Sequence, residues 1–294
     1  MAAIRPADLP RDRGALEDLF RGAYTSDGHH PIGEHQYLEL AAGPGDDLVG
    51  LVADIEGKLV GYAGLAPGFE PGWWTLEVAV DPGWRTAEIF RDLLTEAMKT
   101  ASTKGGRAVR LWAFLPRLVE AAFDAGFEAE RELRRLWRPL PVTSTPVYPP
   151  GLVIDRFRPG RDDRALLDLN NTAFQGHPEN GNWTRQVLAY RMSQTWFDPD
   201  DVITARKRDR LVGFCWVKRE DPEEGEIYVV AVDPEMQGQG LGRALVINGL
   251  EIMAKHGTTK ATLYVDAGNV GAIKLYEDLG FRLDHIDRSF IRSI

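Results

Sequence analysis

The chain carries one cysteine, Cys215, so no disulfide can close within it. Cys215 lies inside the apolar run Leu211-Val-Gly-Phe-Cys-Trp-Val, where a buried, inert thiol is expected rather than a nucleophile. The six histidines show no His-x-x-x-His or Cys-paired spacing, so no metal site is expected. No run of about 18 apolar residues is present to cross a bilayer, and no charged-then-apolar leader opens the chain; a cytoplasmic protein is expected. Positive charge is outnumbered, with 35 Lys and Arg against 44 Asp and Glu. A formal net charge of -9 and a pI near 5.3 disfavour nucleic acid or an anionic membrane as the main partner and leave room for a local basic site; separately, the chain is expected to be a monomer.

What is present is enough apolar material for two cores, 44% of 294 residues, and the sequence repeats itself. Leu59-Val-Gly-Tyr matches Leu211-Val-Gly-Phe, and Val78-Ala-Val-Asp-Pro matches Val230-Ala-Val-Asp-Pro, both at an offset of 152 (211 - 59 and 230 - 78). Ala15-Leu-Glu-Asp-Leu matches Ala165-Leu-Leu-Asp-Leu at 150, and Gly126-Phe127 matches Gly280-Phe281 at 154. Such a steady offset means duplicated domains. Five prolines between Pro139 and Gly151 forbid a continuous helix or central strand there. The expected organisation is a first domain over 1–140, a semi-rigid connector over 141–151 and a second domain over 152–294. Within each, strands with helices on both faces predict an α/β fold: hairpins turning at Glu56-Gly57 and at Arg208-Asp209, central strands at 73–80 and 226–232, helices at 86–103 and 241–255, and an early helix over 34–42.

The most specific stretch runs from Glu226 to Ala244. A β-branched strand ends at Asp233-Pro234, and a loop holding Gly238, Gly240 and Gly242 leads into a helical pattern. Glycines without Cβ atoms let backbone N–H groups close around an anion at the positive end of the following helix. The spacing matches neither a P-loop nor Gly-x-Gly-x-x-Gly. Gln237-Gly-Gln-Gly-Leu-Gly242 instead resembles the pyrophosphate loop of the GNAT (GCN5-related) acetyltransferases, and Asn269, Tyr276 and Leu279-Gly-Phe281 follow in that family's order. In the first half the corresponding segment is Gly83-Trp-Arg-Thr-Ala-Glu-Ile89, with no later glycine and with Glu88 where phosphate would approach; 118–125 also lacks a tyrosine. That half is expected to be inactive.

The resemblance implies two tandem GNAT-fold domains, each a mixed, mostly antiparallel sheet flanked by helices, with acetyl-CoA as co-substrate. It implies cofactor contacts at Val230, Ala231 and Val232, at Gln237, Gly238, Gln239, Gly240, Leu241, Gly242 and Arg243, and at Asn269, Val270, Gly271, Ala272, Ile273 and Lys274, with a weak counterpart at Val78, Ala79 and Val80. Glu226 is expected to take the amine proton through water, the Val230 N–H to polarise the thioester carbonyl, and Tyr276 to protonate the leaving thiolate. Ala173 to Thr184, Trp196-Phe-Asp-Pro, Gly213 to Lys218 and Leu263 to Asn269 further resemble the mycothiol synthase branch of these enzymes. That branch acetylates the cysteinyl amine of cysteinyl-glucosaminyl-inositol, and it implies Glu34, Glu179, Lys218, Glu226 and Tyr264 as acceptor-binding residues. Other amines, such as an aminoglycoside, a polyamine or a protein N-terminus, stay open, as does a non-catalytic CoA sensor.

Overall fold

A computed structural model describes residues 2–33, 36–37, 40, 48–68, 70–175 and 183–294. The chain forms two compact units, one of 1–132 with 286–294 and one of 133–285. The first unit holds β1 (Ala3–Pro6), α1 (Leu9–Asp27), β2 (Val49–Ile55), β3 (Lys58–Pro67), β4 (Trp73–Val80), α2 (Ala87–Thr103), β5 (Ala108–Ala113) and α3 (Pro116–Asp124), after which β6 (Glu128–Pro139) passes into the second. The second holds β7 (Val153–Arg156), α4 (Asp163–Ala173), α5 (Arg185–Met192), β8 (Val202–Lys207), β9 (Arg210–Lys218), β10 (Glu224–Val232), α6 (Leu241–Lys255), β11 (Lys260–Asp266) and α7 (Val270–Asp278), and β12 (Arg282–Ser293) leads back. Among the described residues no helix is long and apolar enough to cross a membrane.

The duplication survives as topology. Strand order is β1-β2-β3-β4-β5-β12 in the first unit and β6-β11-β10-β9-β8-β7 in the second. In each, one parallel pair, β4 with β5 and β10 with β11, sits among antiparallel neighbours. The hairpin turns are as expected: Glu56 and Gly57 have φ of 51° and 83°, Arg208 and Asp209 47° and 65°, the paired positive values of a two-residue turn that follows strand twist.

Compactness divides the chain elsewhere than at the proline-rich segment. Pro139 pairs with Lys260, the Leu140 N–H donates to the Thr259 carbonyl (2.8 Å), and Leu140, Val142, Tyr148 and Leu152 pack on the core of the second unit. The Tyr148 hydroxyl accepts from Asn248 Nδ2 at 2.8 Å. Proline stops regular structure there, but Leu140, Val142, Tyr148 and Leu152 are half-buried against the core while Val147 stays exposed, so the segment is a strap on the second unit. Strand β12 was not anticipated, because its charged alternation gives little apolar signal. It is fixed by pairing, Arg288↔Ala113 through Ser293↔Ala108, with Phe290 fully buried.

The second unit has a core on each face of its sheet. One holds α6 and α7 through Leu245, Leu250, Met253, Tyr276 and Phe281; the other holds α4 and α5 through Leu166, Leu169, Trp183, Trp196 and Trp216. Each fully buried large apolar side chain contributes roughly 1.5–3 kcal/mol. Helix α6 lies so close that a Cβ at Gly249 would stand 2.8 Å from Ile227 Cδ1 and 3.0 Å from Cys215 Sγ. Its N-terminus is thereby held at the end of β10.

Candidate active site

Strand β10 runs beside β11 from Glu224↔Lys260 to Ile227↔Leu263. Its register with β9 slips between Ile227 and Val229, so Tyr228 is the extra residue of a bulge, which bends a strand and sharpens its twist. Beyond it, Val229 to Val232 stay with β9 (Val229↔Trp216 to Val232↔Gly213), while Tyr264 to Asp266 stay with β6 (Tyr264↔Arg135 to Asp266↔Leu133). The two parallel strands therefore part. Val230, Ala231 and Val232 lie on the stretch of β10 left open on that side, where backbone groups can pair with the amides of an extended ligand. In the first unit β4 also continues past its last pairing with β5, Glu77↔Trp112, but β3 and β4 pair without a slip.

At the end of β10, Asp233 accepts from the Glu235 N–H at 2.9 Å while its own N–H donates to the Val212 carbonyl at 2.9 Å. Gly238 and Gly240 follow with φ of 72° and 86°, and a Cβ at either would meet nothing within 4 Å. Glycine is demanded there by backbone conformation, and the space above is open. Helix α6 has no side-chain cap on Gly240 and no acid in its first turn, and its first bond runs from the Ala244 N–H to the Gly240 carbonyl (3.0 Å). The amides of Leu241, Gly242 and Arg243 thus stand at an uncapped positive end with the Arg243 cation, a site fit for a diphosphate. Gln237 and Gln239 turn their side chains back, onto the Val232 and Glu235 carbonyls at 3.5 and 3.0 Å, and brace the loop.

The corresponding end of α2 is filled. Thr86 caps it by accepting from the Ile89 N–H at 3.4 Å, Glu88 adds negative charge to the first turn, and Arg85 is held by Asp27 at 2.7 and 2.6 Å. Val78, Ala79 and Val80 are buried on their strand, and the helix that follows them begins with its own side-chain cap.

Asn269 caps α7, its Oδ1 accepting from the Ala272 N–H at 3.1 Å, so its side chain serves its own helix over Val270 to Lys274. Tyr276, 6% exposed, packs edge-to-face on Phe281 with centroids 5.8 Å apart. Burial pushes its phenol above the ordinary range, and the neighbouring Cys215 adds to the effect, so it stays protonated and able to donate. Cys215 itself is fully buried and pushed up to about 12 by burial, an inert thiol as expected.

Strand register assigns the remaining residues to faces. Glu226 stands opposite Lys218 on β9 and beside Thr262 on β11, so these three share a face, and Tyr264, two residues beyond Thr262, shares it as well. Ile227, Val217 and Leu263 turn the other way, into the core that contains Tyr276. Lys218 Nζ is 5.0 Å from the Trp196 ring and 2.9 Å from Glu220 Oε2; Tyr264 is 39% exposed, its ring 6.4 Å from that of His285. Glu34 and Glu179, and most of the helix expected over 34–42, lie outside the described residues. The sequence reading missed Tyr228, since a bulge inside Ile-Tyr-Val-Val leaves the apolar pattern unbroken.

The profile of the acetyltransferase (GNAT) family matches residues 14–127 and again 164–281. The chain belongs to the GNAT acetyltransferase family. Within this enzyme the second match contains the parted strands, the open loop and Tyr276, and the first contains the self-capped loop. A relative from Acidimicrobium ferrooxidans named mycothiol acetyltransferase is 38% identical, covering 98% of this chain and 96% of its own length. One of the same name from Thermobispora bispora is 38% identical over 97% of both chains. Among solved structures, a GCN5-related N-acetyltransferase from Sphaerobacter thermophilus superimposes with TM-score 0.79 at 20% identity over 99% of this chain and 95% of its own. A tandem GNAT protein from the clavulanic acid biosynthesis pathway does so with TM-score 0.78 at 18% identity over 100% and 98%. The tandem fold is thus an established arrangement in this family.

Proposed function

We propose that this GNAT acetyltransferase moves the acetyl group of acetyl-CoA to the cysteinyl amine of cysteinyl-glucosaminyl-inositol, in the second half of the chain. The observation that carries the acceptor is the near full-length similarity to relatives named mycothiol acetyltransferase. Support for the division of labour comes from the contrast between the open end of α6 and the self-capped end of α2.

In this reading the amides of Gly238 to Arg243 hold the diphosphate, and Val230 to Val232 pair with the pantetheine arm. Acetyl-CoA supplies an activated acyl group. Glu226 takes a proton from the acceptor ammonium through water, leaving the lone pair needed for attack. The Val230 N–H offsets charge developing on the acyl oxygen, and Tyr276 donates its proton to the sulfur that leaves. Since Glu226, Lys218 and Tyr264 share one face and Tyr276 belongs to the other, acceptor and thiol proton are handled from opposite sides of the parted strands. By family resemblance Glu34 and Glu179 join Lys218 and Tyr264 in binding sugar and inositol hydroxyls, and Asn269 to Lys274 complete the cofactor contacts. The enzyme works as a cytoplasmic monomer, which light scattering at micromolar concentration checks.

Product analysis tests the proposal. After incubation with acetyl-CoA and cysteinyl-glucosaminyl-inositol, mass spectrometry should find one acetyl group on nitrogen with the thiol still free for alkylation; acetylation on sulfur alone, or none, rejects it.

A further inference from the structure

The bulge residue Tyr228 is held from several sides. Its ring meets Trp196 at 5.1 Å and Trp216 at 5.7 Å, both edge-to-face, with the Lys218 ammonium 6.0 Å and the Arg191 guanidinium 5.2 Å from its centroid. Arg191, in the last turn of α5, also lies 4.4 Å from the centroid of Trp183. Trp183 is itself fixed: its N–H donates to Asn171 Oδ1 at 2.8 Å, and its carbonyl accepts from Asn171 Nδ2 at 3.0 Å. A half-buried cation set over two rings is attracted to both. It ties the bulge to α4 and α5.

We propose that Arg191 is a positioning residue for acyl transfer: through the Tyr228 ring it holds the bulge at which β10 leaves β11. Glu226 precedes that ring by two residues and Val230 follows it by two, so a ring free to shift carries both off their working positions. The inference rests on the roles proposed above for Glu226 and Val230. It assigns Arg191 no contact with either substrate.

Steady-state kinetics and hydrogen exchange on the full chain test it. Arg191→Met should lower kcat about tenfold while both KM values stay within about twofold, and Arg191→Lys should recover most of the loss because the cation is kept. Tyr228→Leu should match Arg191→Met, Tyr228→Phe should stay near wild type, and the double variant Tyr228→Leu/Arg191→Met should be no worse than the poorer single. Amides of 228–232 should exchange faster in Arg191→Met. Losses that multiply in the double variant, a tenfold rise in acceptor KM at constant kcat, or unchanged exchange would each overturn the proposal. If Tyr228→Leu fails to fold, the Arg191 pair with Tyr228→Phe decides on the same criteria. Exchange is measured without an acceptor, so a wrong acceptor assignment would show in wild-type turnover and leave this result standing.

Discussion

Ile227 and Leu263 are the last residues at which β10 and β11 lie side by side. One residue later the Tyr228 bulge turns β10 away, and the strand runs on to the open glycine loop with one backbone edge free. The open stretch of β10, the uncapped glycine loop beyond it and Glu226 just before the bulge are the features on which the proposed reaction rests.

Charge at the loop is the first thing to vary. Gly240 has φ of 86° and nothing within 4 Å of a prospective Cβ, so Asn and Asp fit with similar strain, both tolerating left-handed backbone. Gly240→Asp should weaken acetyl-CoA binding at least tenfold more than Gly240→Asn, because only Asp sets an anion against the diphosphate. Calorimetry on the two proteins reads the difference.

Proton handling comes next. Glu226→Gln and Tyr276→Phe should each lower kcat by about a hundredfold or more, with acetyl-CoA affinity little changed. Glu226→Gln should abolish the acidic limb of the pH-rate profile. Tyr276→Phe should keep that limb, and since burial raises the Tyr276 phenol, wild type should show no alkaline fall from its ionisation below pH 10.

The first half should respond in stability and not in chemistry. Thr86→Ala removes the cap on the Ile89 N–H and should cost about 1 kcal/mol in urea unfolding with turnover unchanged. A folded variant with large loss of turnover would assign the degenerate loop a part in the reaction.

Glu77 gives the same half a pH signature. Its Oε2 accepts from the Gly33 N–H at 2.7 Å, and burial, with Asp287 nearby, pushes the carboxyl up from 4.5 to about 7. The native state therefore keeps this proton to higher pH than the unfolded chain, so its contribution to stability is largest below pH 4.5, falls between 4.5 and about 7, and is level above. Glu77→Gln keeps an acceptor for Gly33 and avoids the buried charge. It should be more stable than wild type at pH 8 by about 1–3 kcal/mol and no more stable at pH 4.5, as thermal melts at the two pH values will show.

Much of this was legible in the residues. Positive-φ turns at Glu56-Gly57 and Arg208-Asp209, the central strands and the glycine loop are local features, each fixed by a few side chains, and they fall as expected. What escaped was set by partners far along the chain. The exchange of β6 and β12 between units depends on pairing such as Ile291↔Arg110, which charged alternation does not announce. The proline-rich strap is held by Asn248 and Thr259, a hundred residues or more from Tyr148 and Leu140. The Tyr228 bulge is a matter of register with Trp216 and Val217, invisible in an apolar run.

The most direct test of the account is the ratio of kcat/KM for cysteinyl-glucosaminyl-inositol to that for free cysteine and for glucosaminyl-inositol, measured by CoA release with wild type and Gly240→Asp. Wild type should prefer the full conjugate by at least a hundredfold, as fixed hydrogen bonds to sugar and inositol require, and Gly240→Asp should lose that activity. Equal rates on all three amines, or undiminished turnover in Gly240→Asp, would contradict it.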